Sequence, residues 1–412
     1  VGIVQILQKH EAVLAARAGR PLELAAVSAR TRNRDRGVDL SAYDWEDDPV
    51  ALARRDDIDL VVEVIGGEDG PAKVMVEAAL QAGKSVVTAN KALMARHGAA
   101  LAALAERQGA ALRFEAGVAG GIPVVKALTE GLAANGITRV MGVMNGTCNY
   151  ILTEMEKTGA DYADVLRDAQ NLGYAEADPA FDVGGMDAAQ KLALLTTTAF
   201  GTAFDIDDMK VEGIESITLT DIRYARDMGY AIKLLGVARA AGDRIEARMQ
   251  PCLVPATSPL GQLDSVTNMV VIEGDFIGQT VYQGPGAGAG PTGSAVVADI
   301  IDIARGLRIP AFGQPAAALA NHPVTAKGTP AAYYLRLNLE DRPGTLAQVA
   351  AALGDHNVSI NQMRQTAHRE ATAPVLIVTH ECLRADIDAA LAQITELAIS
   401  HGQPVAYRIE TV

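Results

Sequence analysis

IDLVVEVIGG, residues 58–67, is an apolar run closed by two glycines. It is long enough for one buried strand and too short for a buried helix, so it reads as a strand covered on both faces, as in parallel sheets. Outward from it the same punctuation repeats. Upstream, residues 22–27 (LELAAV) read as a strand ending at Ser28, and residues 3–18 as a helix with Ile3, Ile6, Leu7 and Leu14 near one face. Downstream, residues 72–82 read as a helix closed by Gly83, residues 85–88 (SVVT) as a strand and residues 90–107 as a helix, and a further strand starts at Leu112. Strands alternating with helices through short Gly-bearing loops predict an α/β fold with a doubly wound parallel sheet over residues 1–125. The chain opens at Val1-Gly2-Ile3, already inside the first helix of such a sheet, so its first strand and Gly-rich turn are expected to be missing. Two explanations stay open: a truncated chain, favoured by the helix's uncovered apolar face, or a protein that binds no dinucleotide.

Beyond residue 126 the pattern changes. A strand is expected at 138–143, then helices over 151–157, 162–172, 186–200 and 220–241, and antiparallel strands at 248–254 and 269–276. This predicts an α+β catalytic or dimerisation domain over 126–320, with residues 294–320 returning to the first domain through a helix over 294–306. Residues 321–331 read as a linker. Residues 332–412 then run strand, helix, strand, strand, helix, strand, the ferredoxin-like split unit, able to fold alone.

Composition narrows the function. The chain has 412 residues with 36 basic and 50 acidic side chains, a net charge of −14 that repels polyanions and argues against nucleic-acid partners. Apolar residues make up 49%, yet no run reaches the ~20 residues a bilayer span requires, so no membrane partner is expected. Cys148, Cys252 and Cys382 are far apart, which fits a reducing cytoplasm and gives no metal clip. The seven histidines form no ligand spacing.

Several stretches can carry chemistry. Thr88-Ala-Asn-Lys91 lies where a parallel strand gives way to a helix, the edge at which such sheets bind ligands; the alternative is a surface lysine, disfavoured there by the helix dipole. Asp187 and Lys191 share a helix face entering an apolar stretch, with Asp182, Tyr174, Glu176 and Asp178 just upstream: a polar cleft, or a surface ion pair. Asn145-Gly146-Thr147 can cradle a carboxylate or form a plain capped turn. Gly-rich backbone from Glu115 to Pro123 can offer carbonyls to a hard cation. Arg30, after the second strand, can pair with a 2′-phosphate and favour NADP over NAD, or sit in a solvated basic loop. The glycines from Gly284 to Gly290 read equally as ligand-approaching backbone or a mobile loop. Asp341-Arg-Pro-Gly344 leaves amides free at a helix start, suited to an amino-acid carboxylate, or is a tight turn.

Together, TANKALMA, FEAGVAGGIP, NGTCNYIL, GYAEADPAFDVGGMDAAQKLALL and GPGAGAGPTGSAV resemble the homoserine dehydrogenase family over residues 1 to 320. LEDRPGTLAQV and VSINQMRQ resemble an ACT domain. The resemblance implies a Rossmann-type domain, NAD(P)-dependent interconversion of L-homoserine and L-aspartate 4-semialdehyde, and feedback regulation by an amino-acid effector, threonine first. It implies Lys191 as general acid/base, Lys91 as a second active-site lysine and Asp187 beside them. Glu176, Asp182, Gly146, Thr147 and Tyr174 fall on the substrate site, and Arg30, Gly66, Thr88, Gly286 and Gly288 on the cofactor side. A sodium or other monovalent cation is implied at Glu115, Val118, Gly120 and Ile122. Asp341, Gly344 and Asn361 are the expected regulatory residues, and a homodimer or homotetramer the expected assembly. A second lysine is expected to lower the first one's pKa by repulsion. The alternative function is a non-catalytic amino-acid sensor.

Overall fold

The computed structural model describes residues 1–325, 328–365 and 372–411. Its strands are β1 (Ala26–Val27), β2 (Asp44–Trp45), β3 (Leu60–Glu63), β4 (Ser85–Thr88), β5 (Leu112–Arg113), β6 (Ile137–Val143), β7 (Lys210–Val211), β8 (Tyr230–Ala241), β9 (Arg244–Pro255), β10 (Thr267–Gly274), β11 (Gly278–Pro285), β12 (Tyr333–Glu340), β13 (Ile360–Gln365), β14 (Thr372–Thr379) and β15 (Val405–Ile409).

The apolar run 58–67 contains β3, parallel to β4, which is parallel to β5. All four residues of β4 are buried, because helices lie on both faces. Val86 joins Met75, Val76, Leu80, Leu93 and Leu101 on one side, and Val87 joins Val296, Ile300 and Ile303 of the returning helix Ala289–Ala304 on the other. The doubly wound plan holds, in two pieces: β1 and β2 form a separate parallel pair among the described residues. The expected helix over 3–18 is two helices, Gly2–Lys9 and Glu11–Ala18, broken at His10. Gly2 enters its helix tight against the returning one; a Cβ there would lie 1.9 Å from the Ala289 carbonyl oxygen.

The rest of the chain is organised by one ten-stranded sheet, ordered β11-β10-β6-β8-β9-β15-β12-β14-β13, with β7 beside β9. The expected helix over 220–241 is wrong. The helix Leu219–Asp227 stops at Met228, Gly229 turns at φ +83°, and β8 begins at Tyr230. Its Ala- and Leu-rich sequence has helical propensity, but twelve residues pair antiparallel with β9 and bury both faces, so tertiary pairing overrides propensity. β11 was also missed: the segment leading into the glycines is an edge strand on β10.

The last module has the expected element order, with β12 between β15 and β14, and β13 on the outside. It is not a detached unit. β15 pairs in parallel with β9, Arg408 opposite Cys252 and Ile409 opposite Leu253, so its sheet continues the catalytic one. One face (Tyr333, Leu335, Leu337, Leu339) is covered by its own helices; the other (Tyr334, Leu376, Val378, Tyr407) joins the main core. On that second face Arg336 Nε donates to Asp221 Oδ1 at 2.5 Å. Asp221 is fully buried and forms a capping box with Thr218 at the start of the helix Leu219–Asp227. Removing Arg336 strands a buried carboxylate, so Arg336→Ala should lower unfolding stability by ~3 kcal/mol in urea melts; a change below about 1 kcal/mol would mean that the contact is incidental.

Candidate active site

β6 ends at Val143, and Asn145 caps the helix Gly146–Thr158 by accepting the Cys148 N–H at 2.8 Å. The helix Met186–Phe200 runs in beside it from Gly185. Asp187 sits in its first turn, where the helix dipole favours a carboxylate, and Lys191 one turn on. Both are buried, so the surface ion-pair alternative falls. Lys191 Nζ donates to Asp187 Oδ2 at 2.7 Å and to the Met144 carbonyl at 2.8 Å. An ammonium has three N–H donors; the third has no partner among the described residues.

Lys91 arrives from the other domain. It starts the helix Lys91–Arg107 after β4, with Asn90 as cap, and its Nζ lies 3.2 Å from Asp187 Oδ1. The two lysines, expected to repel each other directly, have a carboxylate between them. Burial pushes the Asp187 carboxyl up, but Lys191 and Lys91 outweigh it and hold the group at about 2. Asp182 is joined to Asp187 through Asn145, whose Nδ2 donates to both at 2.8 Å. The Asp182 carboxyl is pushed up by burial, against the Asn145 hydrogen bond that pulls it down.

The other expected residues are distributed around this centre. Glu176 is exposed, yet close enough to Asp182 to raise its pKa. Thr147 Oγ1 donates to the Tyr174 carbonyl at 2.6 Å, and the Tyr174 ring meets Tyr150 edge-on at 5.0 Å. Gly146 is small for an internal reason: a Cβ there would lie 2.6 Å from the Val266 carbonyl oxygen.

A cleft of about 570 Å³ opens between the domains, lined by Gly66, Gly67, Asn90, Lys91, Phe181 and Met186 among others. The Thr88 hydroxyl does not face it unattached. It donates to Glu63 Oε2 at 2.5 Å, and Glu63 Oε1 accepts the Ile65 and Gly66 N–H groups. Glu63, fully buried, thus shapes the loop at the strand ends and was missed in the sequence, where it sits inside the apolar run. Arg30 is exposed beyond β1. Its neighbour Arg36 is engaged, donating to the Thr31, Arg32 and Arg34 carbonyls and, like Arg32, lying 5.6 Å from the Trp45 ring. Gly286 approaches Asn268, where a Cβ would come within 1.8 Å of Oδ1, and Gly288 precedes the helix Ala289–Ala304 at φ +110°.

The Glu115 carboxylate accepts the Val125 and Lys126 N–H groups, and its backbone carbonyl accepts from Val118 N–H. The Ile122 carbonyl accepts from Val124 N–H. The buried carbonyls of Val118 and Gly120 accept no hydrogen bond from the described residues. In the last module Asp341 and Gly344 are exposed at the end of β12, while Asn361 is exposed at a bulge in β13. The register sets Gln362 opposite Val378, and Val378 opposite Tyr334. Asn361 is therefore level with the start of β12, roughly 20 Å along the strand from Asp341. One chain does not bring the three expected regulatory residues together.

A doubly wound sheet whose strand-end cleft is lined by Lys91, itself in contact with the buried Asp187, has the arrangement of a nucleotide-cofactor-dependent enzyme. Family models match residues 2–115 (homoserine dehydrogenase, NAD binding domain), 123–301 (homoserine dehydrogenase) and 333–398 (ACT domain). The homoserine dehydrogenase of Neisseria gonorrhoeae is 44% identical over 100% of this chain and 96% of its own length. The crystal structure of a homoserine dehydrogenase from Thiobacillus denitrificans superposes with a TM-score of 0.93 at 40% identity, covering 100% of this chain and 95% of that one. A hyperthermophilic archaeal homoserine dehydrogenase in complex with NADPH matches with a TM-score of 0.55 at 28% identity, over 63% of this chain and 75% of that one. The chain belongs to the homoserine dehydrogenase family, and its activity is that of the family; the sensor alternative is set aside. Among the described residues no helix is long and apolar enough to cross a membrane.

The depressed Asp187 pKa links the centre to stability. The folded carboxyl holds its proton less tightly than the unfolded one, so its contribution is complete above about pH 4 and is lost as pH falls towards about 2. The urea midpoint of the wild type should therefore fall more steeply than that of Asp187→Asn between about pH 4 and pH 2. Equal slopes would contradict the ionic pairing.

Proposed function

We propose that Lys191 is the general acid/base of the interconversion of L-homoserine and L-aspartate 4-semialdehyde, with Asp187 and Lys91 fixing its charge and aim. The observation that carries this is the partly committed ammonium: two N–H groups on Asp187 and Met144, one unassigned. In the reducing direction the Lys191 ammonium gives a proton to the carbonyl oxygen as charge develops there. In the oxidising direction the amine keeps two N–H bonds to the same partners and turns its lone pair to the homoserine hydroxyl proton. Lys91 adds positive charge to the same oxygen's surroundings. Glu176 faces the substrate's α-ammonium, with Asp182 beside it, while Gly146, Thr147 and Tyr174 shape the carboxylate end.

The nicotinamide cofactor, when bound, supplies or accepts the hydride. The strand ends fit it: Gly66 has open space where a side chain would stand, and the loop carrying it is fixed by Glu63. Arg30 stands exposed beyond β1 while Arg36 is engaged in holding the loop, an arrangement suited to a 2′-phosphate and so to NADP. Thr88, through Glu63, and Gly286 and Gly288, through backbone placement, act as supports. The uncommitted carbonyls of Val118 and Gly120 suit a monovalent cation, sodium first, with Glu115 and Ile122 completing the shell. The ACT module takes an amino-acid effector, threonine first. Because Asp341 and Gly344 stand apart from Asn361, a site using all three draws on two copies in a homodimer or homotetramer. The working compartment is the cytoplasm, in keeping with three buried, unpaired cysteines.

Lys191→Ala should lower kcat for homoserine oxidation about a thousandfold with cofactor Kd unchanged; turnover within tenfold of wild type would overturn the assignment. Arg30→Ala should raise KM for NADP several-fold and leave KM for NAD alone, and equal effects on both would remove the phosphate role.

A further inference from the structure

Asn145 carries two tasks on two atoms. Its Oδ1 accepts the Cys148 N–H and starts a helix. Its Nδ2 donates to Asp182 Oδ1 and to Asp187 Oδ2. The residue is 3% exposed, so water cannot replace either bond. A side-chain amide has two N–H donors, and each is on a different carboxylate. Capping alone does not require this residue, since Ser or Asp caps as well as Asn. Capping while bridging two carboxylates does: neither of those side chains offers two donors with an acceptor.

We propose that Asn145 is a positioning residue of the dehydrogenase reaction: its amide spans Asp182 and Asp187 and fixes the orientation of the carboxylate that holds Lys191. The proposal rests on the roles assigned above to Lys191 and Asp187. Asp187 Oδ2 is held from two directions, by Asn145 Nδ2 and Lys191 Nζ, and Oδ1 from a third, by Lys91. Without the amide only the two lysine side chains hold the carboxylate, so its plane is less firmly set, and with it the direction of the unassigned N–H of Lys191. The amide also separates two like charges. Asp182 faces Asp187 and Lys191 from the helix Met186–Phe200 and Glu176 from the preceding loop. Cys148, from the helix Gly146–Thr158, donates its thiol to the Asp182 carbonyl, and Lys91 acts on Asp182 only across Asp187. Removing the donor leaves repulsion from Asp187 and Glu176 less opposed, so Asp182 takes up a proton at higher pH.

Asn145→Ser keeps the helix cap and removes the bridge. Its cofactor Kd should match wild type and its Tm should fall by a few degrees with the native fold kept, kcat/KM for homoserine should fall about ten- to a hundredfold, and the acid limb of its pH profile should move up by about half a unit or more. Asn145→Asp keeps the cap and the shape and adds a third carboxylate, so both effects should be larger than in the Ser variant. A Ser variant with kcat/KM within twofold of wild type overturns the proposal. So does a reduced kcat/KM with the acid limb unmoved, or an Asp variant no worse than the Ser variant. Should the Ser variant not fold, the Asp variant against wild type decides by the same two readouts. Lys191→Ala, measured alongside, separates the failures: an active Lys191→Ala removes the acid/base reading itself, whereas an inactive one with an unaffected Ser variant removes only the bridge.

Discussion

Asp187 is the point on which the centre depends. Its two oxygens meet a lysine from the catalytic domain, a lysine from the nucleotide-binding domain and an amide from the end of β6. The carboxylate pairs with the buried Lys191 side chain and fixes its direction. The same contact ties the two domains together where the cleft closes. Among the described residues Lys126 also crosses this boundary, to the buried Asp299 and to Asp302 of the returning helix, as does Arg113 to Glu130, whereas Arg96 with Asp205 and Asp207 joins exposed groups and contributes little to holding the geometry.

The parallel sheet was legible in the sequence because burial on both faces leaves continuous apolar runs bounded by glycine, as in residues 58–67. Lys191, Asp187 and Lys91 were legible because charged residues stood against apolar neighbours or at a strand's carboxyl end. What was not legible is long-range. β8 looked helical because its pairing with β9 has no local signal. Glu63 hid inside an apolar run, since its partners are a strand and a loop folded back on it. The bridging role of Asn145 depends on carboxylates 37 and 42 residues away, so its local reading as a cap was correct and incomplete.

The continuity of the sheet bears on regulation. β15 brings Arg408 and Glu410 against Arg248 and Glu246 of β9, all buried. Each of these charges is supported by the others, so a shift of the module along β9 would unpair several at once. On the other side of β9, beyond β8, lies β6, whose end delivers Met144 and Asn145 to the centre. Backbone hydrogen bonding thus runs from the regulatory module to the strand that positions Lys191.

The most direct measurement is a crystal structure of the chain with L-homoserine and an oxidised nicotinamide cofactor. The account predicts the homoserine hydroxyl at about 2.6–3.2 Å from Lys191 Nζ, with the bonds from that nitrogen to Met144 and Asp187 retained. A hydroxyl held by some other group, with Lys191 still turned to Asp187 and out of its reach, would contradict it.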